Sequence, residues 1–149
     1  KGRERTIELK DFFRGVKKTA LERGELVSAV QIPSPPTGTR GRYLKAMRVW
    51  SEDLAIVGVA ALVGTKSSER DGRDVRLACA SVAPTPIRLH EAEAVFRGRA
   101  PTKQLIGEAV SIAVRKVSPI SDVRGGIDYR LNLIEVLTRR ALSELLGEN

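Results

Sequence analysis

The chain has 149 residues, 42% of them hydrophobic, which is the size of one ordinary domain with enough apolar material for a single core. Its net charge of +8 and pI near 10.1 would suit an anionic partner. The 26 lysines and arginines are scattered with few aromatics between them, however, so a solvated basic surface or a subunit interface is preferred over nucleic-acid binding.

The longest apolar run, residues 54–63, is about half the roughly 20 residues that a membrane helix needs, so no membrane span is expected. No secretory signal opens the chain, and the single cysteine, Cys79, excludes an internal disulfide and any all-cysteine metal or iron–sulfur site. A cytoplasmic location is expected. The chain opens at Lys1–Gly2 without Met and reads as a fragment of a longer polypeptide.

In chain order, Thr6 can cap a short helix through Phe13, and Gly15 breaks it into a charged connection over residues 16–24. Residues 26–32 predict a first strand, stopped by Pro33, Pro35 and Pro36, which lack the donor a ladder requires. Residues 41–49 and 54–63 predict a hairpin whose second arm, apolar on both faces, is the central strand. There Gly58, Ala55, Ala60 and Ala61 would let helices pack closely. Val75, Leu77 and Cys79 alternate with Arg76, Ala78 and Ala80, which predicts a further strand with the thiol buried and inert.

Pro84 and Pro86 end that strand, and Leu89, Ala92, Val95 and Phe96 resume at helical spacing up to Gly98. His90 is expected on the exposed side, beside Glu91 and Glu93. A second helix starts at Pro101–Thr102 with the stripe Leu105, Ile106, Ala109, Ile112, Ala113 and Val117, and Ser118–Pro119 ends it. A third, from Ile127 to Gly147, is predicted to bury Ile127, Leu131, Ile134, Leu137, Ala141 and Leu145, with Arg139 and Arg140 complementing its C-terminal dipole. The expected class is α+β, an antiparallel sheet of three to four strands covered on one face by three helices. The lead-in spans residues 1–24, the sheet 25–83 and the helices 84–149 of a single domain.

One histidine and one cysteine cannot supply a metal site or a Cys–His nucleophile. Gly125–Gly126 before a helix could bind an anion but reads better as a turn. The hairpin is the richest site: Lys45, Arg48, Glu52 and Asp53 bring four charges to one end of a β-arm with Tyr43 and Trp50. Read from pattern alone, that cluster is either a ligand site or a salt-bridged tip.

Four segments are informative together: KTALERGELVSAVQIP (residues 18–33), KAMRVWSEDLAIVGVAA (45–61), ASVAPTPIRLHEAEAVFRG (80–98) and SPISDVRGGIDYR (118–130). In this order the sequence resembles the C-terminal domain of the FAD-binding medium subunit of molybdenum hydroxylases, the family of carbon monoxide and xanthine dehydrogenases. An E-x-x-L-x-G pattern of the family stands here as Glu93 to Gly98 with Phe96 at the leucine position.

The resemblance implies an oxidoreductase part following a larger FAD-binding domain, with FAD bound mainly by that domain. It implies partner subunits carrying two [2Fe–2S] clusters and the molybdenum cofactor, in a dimer of heterotrimers. Electrons would leave the flavin for NAD+, a quinone or another acceptor. It places Lys45 beside the isoalloxazine ring, with Arg48, Glu52 and Asp53 in the charged stretch that follows, while Trp50 replaces a second basic residue of some relatives. Tyr129 and Arg130 match a Tyr-Arg pair expected to pack and to bond a carboxylate, and Arg88 and Glu93 look structural in the same way. The alternative reading is a non-catalytic association or dimerisation module without its own cofactor.

Overall fold

In the computed structural model, residues 4–49, 54–66 and 72–147 are described. The chain divides into two compact units, Lys1–Ser34 and Pro35–Asn149. In the first, helix α1 is only Leu9–Phe12, because Phe13 already turns into strand β1 (Phe13–Gly15). This strand pairs with β2 (Lys18–Thr19), so the predicted helix is shorter and the predicted charged connection holds a small hairpin. Gly15 (φ 153°) and Lys17 (φ 56°) supply the turn. The rings of Phe12 and Phe13 pack edge to face with centroids 5.1 Å apart. Arg5 forks onto Glu25 at 2.8 and 2.6 Å.

Residues 26–32 correct the prediction: they form no strand among the described residues, and Leu26, Val30 and Ile32 are 90%, 75% and 86% exposed. Alternation prepares a segment for a sheet but cannot supply the neighbouring backbone that a ladder needs.

The second unit is built on an antiparallel sheet ordered β3-β4-β5-β6, comprising Arg40–Ala46, Val57–Lys66, Arg73–Ala80 and Ile87–Arg88. The fourth strand is therefore not the predicted segment 26–32 but the short Ile87–Arg88 edge. Register places Leu44, Val59 and Cys79 in one row and Arg42, Ala61 and Leu77 in the next. Val57, Val59, Ala61 and Val63 of β4 and Val75, Leu77 and Cys79 of β5 are buried on this face, whose β-branched side chains suit a pleated surface. Burial pushes the Cys79 thiol up to about 12.

Three helices cover that face, α2 (His90–Ala94), α3 (Lys103–Lys116) and α4 (Ile127–Leu146). Helix α4 packs on β3 and β4, α2 on β5, and α3 against both α2 and α4, with Phe96 fully buried among them. The Thr102 hydroxyl accepts the Leu105 N–H at 3.2 Å to start α3, and Val117 is extended at its end, before Ser118–Pro119. Gly147 closes α4 in the left-handed region (φ 77°).

Helix α4 buries the predicted Ile134, Leu137, Ala141 and Leu145 but departs from its stripe elsewhere. Ile127 is exposed, whereas Arg130, Thr138 and Leu142 are buried. Arg139 pairs with Glu135 one turn back at 3.2 Å and lies too far from Leu146 to serve the last turn.

The opposite face of the sheet carries Tyr43 and Lys45 from β3, Gly58, Ala60 and Leu62 from β4, and Asp74, Arg76 and Ala78 from β5. Tyr43, Leu62, Asp74 and Arg76 there are exposed. The small residues predicted to admit helices are thus split. Ala61 faces the helical layer, but Gly58 and Ala60 face away from it. No described helix is long and apolar enough to cross a membrane.

Candidate functional site

The β3–β4 end of the sheet is organised by one buried arginine. Arg130, 3% exposed in the first turns of α4, donates through Nη1 to the carbonyls of Ile56 and of Ser81 (2.9 Å). Its Nη2 reaches Asp122 Oδ1 at 2.7 Å, the arginine–carboxylate bond expected of this position. One planar fork thereby joins the start of β4, the bend after β5 and the loop before α4, which a point charge could not do. Ser81 bends with φ 64°, a conformation uncommon for a residue with a Cβ.

Asp122 also accepts the Arg124 N–H at 2.8 Å. That backbone bond and the Arg130 guanidinium hold its carboxyl below the usual range. The turn before α4 is consumed by these contacts: Ser121 Oγ accepts the Ile127 N–H, and Gly125 lies against Tyr129 and Ile56. Gly125–Gly126 is therefore a turn, as read from sequence.

At the other edge, Glu93 corrects its surface placement: it is 5% exposed and turned inward. Its Oε1 accepts the Leu77 N–H at 2.9 Å and the Arg88 Nε at 2.7 Å, and its Oε2 accepts Arg88 Nη2 at 3.1 Å. The β6 ladder reaches only Ala78 and Cys79 through its paired residues, so the carboxylate satisfies a β5 donor that the short strand leaves over. His90, exposed as expected, lies 3.3 Å from Glu93 Oε2. Glu93 in turn raises Arg88 above its ordinary value, chiefly by the hydrogen bond. Arg88 and Glu93 are structural, as their family match implied.

Lys45 and Arg48 lie at the Arg130 end of the sheet. Lys45 is half-buried on the face opposite the three helices, paired in register with Gly58 and two residues from Tyr43 on the same side. Gly58 has a further role that sequence reasoning missed. A Cβ there would stand 2.7 Å from the Tyr43 hydroxyl and 3.3 Å from its ring, so glycine lets the phenol lie across β4 while 59% exposed. Only the cross-strand register reveals this, and no single-strand pattern carries it. Arg48 is exposed beyond β3, with Nη1 3.4 Å from the Val123 carbonyl. Glu52 and Asp53, like Trp50, lie outside the described residues.

This face fits one wall of a flavin site, with a cation beside a phenol on a sheet floored by small residues. It does not fit a complete dinucleotide cradle. A recess of about 280 Å³ lined by Ile87, Arg88, Leu89, His90, Glu91 and Lys116 excludes both Lys45 and Arg48. Among the described residues no cluster of His, Cys, Asp and Glu could hold a metal.

A four-stranded antiparallel sheet with three helices on one face defines an α+β module. Residues 42–145 match the CO dehydrogenase flavoprotein C-terminal domain, and the chain belongs to that family. It is 36% identical to the carbon monoxide dehydrogenase medium chain of Afipia carboxidovorans over 138 residues, covering 93% of this chain and 47% of that one. It is 32% identical over 146 residues to the xanthine dehydrogenase FAD-binding subunit of Escherichia coli O157:H7, covering 96% of this chain and 49% of the relative.

Among solved structures, the CO dehydrogenase of Hydrogenophaga pseudoflava lacking the Mo-pyranopterin moiety superposes with a TM-score of 0.83 at 31% identity, over 93% of this chain and 47% of that one. The cyanide-inactivated Cu,Mo-CO dehydrogenase gives 0.82 at 33%, with the same coverage. The chain therefore spans about half the length of the relatives it matches. These relatives are subunits of oxidoreductases.

Proposed function

We propose that this chain is the C-terminal part of the FAD subunit of a molybdenum hydroxylase, and that its open sheet face forms one wall of the flavin site. The observation that carries the reading is the placement of Lys45 and Tyr43, two residues apart in β3 on the face opposite the helices, with Gly58 beneath the phenol. The chain follows a domain that holds most of the FAD, in the cytoplasm, beside an iron–sulfur subunit and a molybdenum subunit in a dimer of heterotrimers. When bound, FAD supplies the relay of electrons from [2Fe–2S] clusters to NAD+, a quinone or another acceptor.

The residues of this chain orient and polarise. The Lys45 ammonium favours added negative charge on the ring beside it and so raises the flavin potential. Arg48, Glu52 and Asp53 are the further charged residues that the family resemblance brings to the flavin, and Trp50 bears on acceptor preference.

The test is Lys45→Ala in the complete subunit, with Lys45→Arg as the charge-retaining control. The alanine variant is expected to lower the two-electron flavin potential by about 30 mV, which corresponds to a tenfold loss of preference for reduced over oxidised flavin. The arginine variant should recover most of it. An unchanged potential, FAD affinity and reoxidation rate would remove the flavin contact and leave an association module.

A further inference from the structure

Residues 26–32, Leu-Val-Ser-Ala-Val-Gln-Ile, combine three properties that rarely coexist in a stable surface segment. They alternate with a strand's period, putting Leu26, Ser28, Val30 and Ile32 on one side and Val27, Ala29 and Gln31 on the other. They join no ladder among the described residues, and all seven are exposed. Pro33, Pro35 and Pro36 then bar any continuation as strand or helix. A seven-residue extended segment spans about 23 Å, and an apolar backbone edge of that length attracts another strand unless it is covered.

The relatives indicate what covers it. The match to the Afipia carboxidovorans chain takes in 93% of this chain, far more than residues 42–145, and only four residues follow 145. The shared region therefore takes in residues 26–32, which precede the stretch that matches the C-terminal domain. The segment belongs to the first compact unit, Lys1–Ser34.

We propose that residues 26–32 are a β-strand completed by the preceding half of the longer polypeptide. They add to the edge of a sheet there, and the Leu26, Val30 and Ile32 face is buried in that half's core. Backbone hydrogen bonds give the attachment, and the alternate apolar side chains set its register. The segment is thus the stitch by which the upstream half is joined to this one. The inference rests on the chain being the latter half of a longer protein, and its failure would leave the Lys45 result untouched.

The experiment is residue-resolved amide hydrogen exchange on the complete subunit. Edge addition predicts protection at every second amide of residues 26–32, by about 100-fold or more over free-peptide rates, because only alternate N–H groups face a single neighbour. Protection of all of these amides also supports the proposal, with the segment inserted between two strands. Val30→Asp, which forces a charge into the buried side, should abolish this protection while leaving the amides of Val59 and Leu77 slow.

Free-peptide rates at residues 26–32 in the complete wild-type subunit would overturn the proposal. Protection that grows with protein concentration would overturn it in favour of a second copy, and protection indifferent to Val30→Asp would overturn the assigned face.

Discussion

Arg130 and Lys45 are basic side chains at the same end of one sheet, and the fold treats them in opposite ways. Arg130 lies under the helices, and its two terminal nitrogens reach two backbone carbonyls and a carboxylate of its own chain. Lys45 stands on the other face of the sheet, half-buried and two residues from a phenol held across a buried glycine. A guanidinium spent on its own backbone belongs to the fold. A half-buried cation on the face opposite the three helices lies outside that packing.

The sharpest way to break this contrast is Arg130→Leu. It would strand the buried carbonyl of Ile56 and remove the part-buried bond to Ser81, a loss of about 2–4 kcal/mol, while the exposed Asp122 returns to water. Urea unfolding followed by circular dichroism should show a loss of that size. Arg130→Lys should recover less than half, because a single ammonium cannot span the three acceptors. If Arg130→Leu cost no more than Lys45→Ala in the same titration, the division into fold and site would be wrong.

Glu93 offers a milder version at the opposite edge. Glu93→Ala leaves the Leu77 N–H buried without its acceptor, an expected loss of about 2 kcal/mol, whereas Glu93→Gln keeps an acceptor oxygen and should lose about 1 kcal/mol. Arg88 contributes little to either figure, because its side chain is nearly half exposed and can return to water. Equal losses for the two variants would assign the effect to the ion pair rather than to the strand's orphan donor.

These residues also show how far the sequence could be read. The helices and strands β3, β4 and β5 were legible because hydrophobic periods of 3.6 and 2 record which side is buried. The Tyr129–Arg130 and Arg88–Glu93 roles were legible through family resemblance alone, since neither sits on an apolar stripe. What failed did so for want of a partner strand. Residues 26–32 have the pattern of a strand and, among the described residues, no ladder, whereas Ile87–Arg88, between Pro86 and Leu89, has no pattern yet pairs with β5. Gly58 was read as admitting a helix, but it faces away from the helices and the group that approaches it is Tyr43 across the strands. Of the predicted site, Lys45 and Arg48 fall at one end of β3, and Glu52 and Asp53 lie beyond the described residues.

The smallest effect is expected in the first unit, where Glu25 is held by charge at the surface. Its carboxylate accepts both Arg5 nitrogens and the Glu22 N–H at 2.6 Å, and the Arg5 hydrogen bond is the main cause that lowers it from 4.5 to about 2. The depressed value fixes the sign: whatever these contacts add is fully present above pH 4.5 and is lost as pH falls from there through about 2. The Glu22 amide should therefore exchange slowly at pH 5 relative to its intrinsic rate and lose that protection towards pH 2. In Glu25→Gln the same amide should show no such transition, and high salt should weaken the wild-type protection, as it does for any exposed pair. A transition in wild type centred near pH 4.5 would mean that Arg5 does not hold Glu25 in solution, and that the lead-in to residues 26–32 is tethered by the β1–β2 hairpin alone.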